Sequence, residues 1–218
     1  MNDGAVVDHP HAPDVAVTRA SYDEMAELYT AFAKGHLEAK PFDRAMLGIF
    51  AELVRGRVAD IGCGPGRLTK HLAGLGVDVL GIDLSPEMIR IARRQYPRLS
   101  FEVGSMERLA LADGSLGGVL AWYSLIHLPP ERMPDVLREF HRVLAPEGHA
   151  LLAFQALDGA EPVSAFDHKV ARAYRWSPER LAELLHEAGF AVRARLHRQP
   201  DPDERFPEGC LFAVKLAQ

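Results

Sequence analysis

Residues 57–73 constrain this chain more than any other stretch. Arg57-Val58-Ala59 is a short apolar run, Asp60-Ile61-Gly62-Cys63-Gly64-Pro65-Gly66 a glycine-rich turn, and 67–73 an amphipathic segment. A strand that turns through glycines into a helix aims backbone N–H groups and the positive helix end at a ligand. The glycines let that ligand approach the backbone with no Cβ in the way. A second apolar run, 77–82, ends at Asp83, roughly 20 residues after the first glycine, where a carboxylate can accept both hydroxyls of a ribose. The pattern implies a nucleoside-bearing ligand.

Spacing narrows the choice. A dinucleotide loop reads G-x-G-x-x-G, with the third glycine packing helix on strand. Here the third glycine comes one residue early, at Gly66, and Arg67 follows it. Asp60 would repel a pyrophosphate beside the loop and suits a ligand with an ammonium group. With the motif Asp60-x-Gly62-x-Gly64-x-Gly66 and with Asp83, the chain resembles the class I S-adenosylmethionine-dependent methyltransferases, whose first motif is (D/E)-x-G-x-G-x-G. The resemblance is to the small-molecule branch that modifies quinones and secondary metabolites. It implies S-adenosyl-L-methionine as cofactor and methyl transfer to an oxygen, nitrogen or carbon atom left undetermined. Two alternatives stand beside it: a catalytically inactive cofactor-binding regulatory protein, and an NAD(P)-dependent oxidoreductase, which the glycine spacing disfavours.

The pattern of elements predicts an α/β fold. Strands are expected at 58–61, 77–82, 99–103, 118–122 and 149–154, separated by helices at 67–73, 86–96 and from Pro130 to Leu144, with a turn at 145–148. Strands alternating with helices call for a doubly wound, Rossmann-like parallel sheet. Ser177 caps a further helix that Gly189 ends, and 190–197 and 211–216 read as two successive strands, which pair antiparallel. The resemblance implies seven strands, mostly parallel, with an antiparallel C-terminal strand and helices on both faces. Residues 1–18 read as a flexible tail, in which His9 and His11 are incidental. Residues 19–218 read as a single domain, whose helices over 19–55 form a lid. Residues 155–175 have no persistent period and read as a pocket wall, with a short helix at 168–174 as the alternative.

The formal charge of −5, from 25 basic and 30 acidic residues, gives no overall attraction to nucleic acid. No apolar run is long enough to span a bilayer, and Cys63 and Cys210 do not make a disulfide framework. A cytoplasmic monomer or homodimer acting on a small molecule, with no metal, is expected.

Ligands of open parallel sheets lie beyond the carboxyl ends of the strands, and this rule selects the site residues. Gly62, Gly64 and Gly66, with Asp60 and Cys63, are expected around the methionine portion. Asp83 is expected at the ribose, and Leu84, Met88, Ser105 and Met106 at the adenine. Ser105 stands where the family often has an aspartate, and Gly117 where relatives reading D-G-S-F-D-x-V have another. Trp122, Tyr123 and His127, after the fourth strand, face cofactor and acceptor. His127 is a candidate base, with a purely structural role as the alternative. In similar enzymes an N-terminal tyrosine closes over the cofactor, which points to Tyr22, while Tyr29 reads as core. Phe166, His168, Arg172 and Tyr174 are candidates for the acceptor wall.

Overall fold

The computed structural model describes residues 13–202 and 204–217; His9 and His11, and the rest of the expected tail up to residue 12, lie outside them. In chain order the elements are α1 (Pro13–Ala33), α2 (Pro41–Leu53), β1 (Val58–Ile61), α3 (Arg67–Gly74), β2 (Val79–Asp83), α4 (Pro86–Gln95), β3 (Ser100–Val103) and β4 (Leu116–Trp122). Then follow α5 (Met133–Val143), β5 (Leu144–Gln155), β6 (Val163–Phe166), β7 (Ala173–Trp176), α6 (Pro178–Glu187), β8 (Phe190–Arg198) and β9 (Glu208–Lys215).

Seven strands form one sheet in the order β3-β2-β1-β4-β5-β9-β8. Pairing is parallel from β3 to β5 and antiparallel on both sides of β9. β9 therefore runs against all the others. Every residue of β1 is buried, as expected of a parallel strand covered on both faces.

Side-chain alternation divides the core in two. Ala59, Ile61, Leu80, Ile82, Val119 and Ala121 pack with α5 and α6. In α5 the apolar positions Met133, Val136, Leu137, Phe140 and Val143 recur at three- and four-residue steps and form one stripe. On the opposite face Val58, Val79, Leu120, Leu151 and Phe212 pack with Met46, Leu47 and Phe50 of α2 and Leu68 and Leu72 of α3. α4 packs through Ile89 and Ala92 on Phe101.

Several expectations change. Residues 13–18, read as tail, are the first turns of α1. α2 is a core layer rather than a lid, because Leu47 and Phe50 are fully buried under the sheet. The turn expected at 145–148 is a bulge inside β5: Leu144 pairs with Leu116 and His149 with Gly118, and Glu147 takes a φ of 60°. Residues 155–175 hold neither a bare loop nor a helix; β6 and β7 pair there as an antiparallel hairpin. Gly117 has a local reason to lack a side chain. A Cβ there would sit 1.6 Å from the carbonyl oxygen of Arg55, so the aspartate of the family pattern has no room.

Candidate active site

Strand order reverses between β1 and β4, and an open cleft lies beyond the carboxyl ends of the strands there. Such a switch point is where open α/β sheets bind ligands. Of the residues singled out in the sequence, Tyr22, Gly62, Gly64, Asp83, Leu84, Met88, Ser105, Met106, Trp122, Tyr123 and His127 line the cleft. Asp60, Cys63, Gly66, Phe166, His168, Arg172 and Tyr174 do not.

Asp83 ends β2 with its carboxylate held by backbone. Oδ2 accepts from the Gly64 N–H at 2.7 Å and Oδ1 from the Ser85 N–H at 2.8 Å. Burial pushes its carboxyl up to about 6, against the lowering effect of those N–H groups. Ser85 is the N-cap of α4, its Oγ accepting from the Met88 N–H, and it donates to Asp23 of α1 at 2.5 Å. One short segment thus fixes the carboxylate, starts a helix and docks α1.

Asp60 has a different task from the one expected. It is buried, and its Oδ2 accepts the Thr69 hydroxyl at 2.7 Å. Burial raises it to about 6, against the lowering effect of Thr69. Its carboxylate is turned onto the first turn of α3 rather than to the cleft. Gly66, with a φ of +82°, packs beneath Phe101, whose ring would lie 2.7 Å from any Cβ. Cys63 is buried against Ile89, Ala92 and Phe101, and burial raises its thiol well above the usual value. These three build the loop from behind.

His127 ends a short 3₁₀ turn, Leu125–His127, and does not open a helix. Its Nδ1 lies 3.0 Å from the Arg172 carbonyl oxygen. A carbonyl only accepts, so Nδ1 carries the hydrogen and Nε2 accepts. The partner of Nε2 is the Tyr22 hydroxyl, at 2.8 Å. Burial lowers the imidazole to about 4 and raises the Tyr22 phenol, so both are neutral near pH 7. Both nitrogens of His127 are engaged, and it is the Tyr22 oxygen whose lone pairs remain for the cleft.

The acceptor-wall candidates sit one layer behind. The His168 ring meets His127 edge-on at 4.9 Å, Phe166 meets His168 at 5.9 Å, and Arg172 touches His127 through its carbonyl. Tyr174 lies under the Arg172 guanidinium, 5.7 Å from its carbon.

Tyr29, read from the sequence as core, packs beside Ala26, Met88 and Ile91 and also lines the cleft. Other lining residues were not singled out in the sequence: Asp14, Val15, Thr18 and Arg19 line the cleft from the first turns of α1. Arg132 also reaches it, bonded to Glu107 and Asp14. Ser124 donates to the Ile61 carbonyl at 2.6 Å. The helical spacing of Thr18, Tyr22 and Tyr29 could have marked one face of α1, but no local signal marks Arg132. Tyr123 takes a φ of 55°, uncommon for a bulky residue and frequent at functional sites. Burial, with the nearby Glu208 carboxylate, raises its phenol well above the usual value.

A profile of the family described as a methyltransferase domain matches residues 58–148. The demethylmenaquinone methyltransferase of Chlorobaculum parvum is 34% identical over 210 residues, covering 92% of this chain and 82% of that protein. The chain belongs to the class I S-adenosylmethionine-dependent methyltransferases. The O-methyltransferase cnsE of Penicillium expansum is 28% identical, with 84% and 74% covered. The fold matches that of a Burkholderia thailandensis 1,6-didemethyltoxoflavin-N1-methyltransferase, with a TM-score of 0.65, 24% identity, and 97% of this chain and 94% of that one covered. The methyltransferase uses S-adenosyl-L-methionine and transfers its methyl group to a small molecule, which removes the oxidoreductase alternative. The residues fit that cofactor: a backbone-held carboxylate without a counter-charge suits a ribose diol, and the glycine turn leaves room beside it. Among the described residues no helix of this methyltransferase is long and apolar enough to cross a membrane, and no three His, Cys, Asp or Glu side chains are grouped to hold a metal ion.

Proposed function

We propose that this methyltransferase alkylates a hydroxyl or amine of a small metabolite, with Asp83 gripping the cofactor ribose. Gly62 and Gly64 flank the methionine portion, and Leu84, Met88, Ser105 and Met106 form the adenine pocket. Trp122 and Tyr123 lie at the reacting end. The observation that carries this reading is the Asp83 carboxylate, held by Gly64 and Ser85 at the switch point. S-Adenosyl-L-methionine supplies an electrophilic methyl on a sulfonium. Held there, it would hand that methyl to the acceptor atom, with the electron pair of the broken carbon–sulfur bond left on sulfur. The residues need only align the partners and remove one proton.

His127 is the base in this reading, acting through Tyr22. The acceptor's proton passes to the Tyr22 oxygen while the phenolic hydrogen moves to His127 Nε2. The hydrogen-bond directions support that order. The acidic net charge supports a metabolite rather than nucleic acid, and the chain from the start of α1 onward acting as one domain, as a cytoplasmic monomer or homodimer, completes the reading.

The test is transfer of labelled methyl from the cofactor to a panel of quinols, phenols and amines. His127→Asn is expected to lower kcat at least tenfold on the accepted compound, leaving the Kd for S-adenosylhomocysteine within twofold. An unchanged kcat would remove His127 from the proton path.

A further inference from the structure

The inward stripe of α1 carries one residue that packing does not explain. Val15, Tyr22, Ala26 and Tyr29 follow one another at seven-, four- and three-residue steps on the face turned to the cleft and to α4. An amphipathic helix keeps such positions apolar. Arg19 stands on the same stripe, four residues after Val15 and three before Tyr22, half-buried and lining the cleft.

The other charges on the cleft wall are committed. Arg132 gives its guanidinium to Asp14 and Glu107, and Asp83 accepts two backbone N–H groups. Arg19 makes no hydrogen bond among the described residues. Its ionic neighbour is Asp23, 3.9 Å from Nε, which is too far for a hydrogen bond. That carboxylate already accepts from Ser85 Oγ and the Glu87 N–H. The cofactor does not account for Arg19 either. Its one anionic group is the methionine carboxylate, and the methionine portion lies at Gly62 and Gly64 in the reading above. Tyr29 marks that end of the cleft, because a Cβ on Gly64 would lie 3.7 Å from its ring. Arg19 precedes Tyr29 by ten residues of continuous helix, about 15 Å at the α-helical rise. Tyr22, the phenol on the proton path, is less than one turn away.

We propose that Arg19 is a specificity-determining residue that binds a carboxylate on the acceptor, so that the acceptor is a hydroxy or amino acid rather than a neutral metabolite. The acid meets the guanidinium while the nucleophile reaches the Tyr22 oxygen. A guanidinium holds a carboxylate through two parallel N–H donors. Asp14, Asp83 and Glu107 line the same cleft, so a singly charged acid is repelled less there than a phosphate dianion. This deepens the methyltransferase reading of the cleft and rests on it.

The probes are para-hydroxybenzoate and its neutral counterpart para-hydroxybenzamide, titrated into protein loaded with S-adenosylhomocysteine and followed at the Arg19 Nε–H resonance. The acid should shift that signal saturably and bind at least tenfold more tightly than the amide. Arg19→Met should abolish the preference and leave the Kd for S-adenosylhomocysteine within twofold, which also shows that the variant is folded. Equal binding of acid and amide, no binding of the acid, or a preference that survives Arg19→Met overturns the proposal. A tenfold weaker Kd for S-adenosylhomocysteine in Arg19→Met overturns it as well, since the guanidinium then holds the cofactor's own carboxylate. Calorimetry on the unaltered protein separates the two levels: no heat with S-adenosylhomocysteine removes the methyltransferase reading itself, and the acceptor assignment with it.

Discussion

Asp60 and Asp83 stand at the ends of adjacent strands, and burial raises both to about 6, yet only Asp83 is turned toward the cleft. Asp60 spends its carboxylate on Thr69. The free lone pairs of Asp83 bind ribose hydroxyls best when the carboxylate is ionised. Its folded value lies above the ordinary 3.8, so the protonated form grows as pH falls through about 6, and affinity is lost in that direction. Calorimetry with S-adenosylhomocysteine should therefore show tighter binding at pH 7 than at pH 5. Asp83→Ala should weaken binding more than tenfold at pH 7, since two charge-assisted hydrogen bonds are lost, and Asp83→Asn should flatten the pH dependence. A pH-independent Kd for the unaltered protein would reject the ribose assignment. The place of Asp83, Gly62 and Gly64 at the cleft was legible because it depends on spacing along the chain, whereas Gly66 packs beneath Phe101. The partner of Asp60 was not, because nothing before folding says which donor a buried carboxylate will meet. Arg132 was illegible for the same reason: Asp14 lies 118 residues away from it.

At the level of elements, α1 is fastened along both edges of the cleft. On one side Asp23 accepts from Ser85 and from the Glu87 N–H at 3.2 Å, and Glu27 pairs with Arg90 and Arg94. On the other side Tyr22 bonds to His127, and Asp14 to Arg132. The Glu27 pairs are exposed and contribute little, so the half-buried Asp23 contact dominates on the α4 side. Asp23→Ala should raise amide exchange across residues 13–33 while leaving β1 and β4 protected, and should weaken cofactor binding about fivefold. Unchanged exchange in α1 would show that its apolar packing alone holds it. Helices α4 and α6 were readable from Ser85-Pro86 and Ser177-Pro178, where an N-cap precedes a proline at the first helical position. The β6–β7 hairpin was not. Most of its residues are only half-buried, so no clear alternation appears, and its pairing depends on the partner strand rather than on either segment alone.

For the molecule as a whole, the alternation of strands and helices disclosed the parallel half of the sheet, because each crossover must bury a helix face. It also placed two successive strands at the end without giving their order. The order matters: β9 lies between β5 and β8, with Ala153 paired to Cys210 on one side and Leu196 to Cys210 on the other. Leu211 and Ala213 are fully buried in the core that α5 and α6 cover. Removing residues 208–218 should abolish the cooperative thermal transition seen by circular dichroism, whereas removing 217–218 should leave it intact. A cooperative melt in the shorter chain would mean that β5 and β8 can close on each other. During synthesis, β5 and β8 both leave the ribosome before the strand that joins them. Until residues 208–215 follow, the nascent protein shows two open strand edges facing one empty slot, a template for aggregation. A translation product stalled in that interval would be marked for chaperones and proteases by its architecture alone.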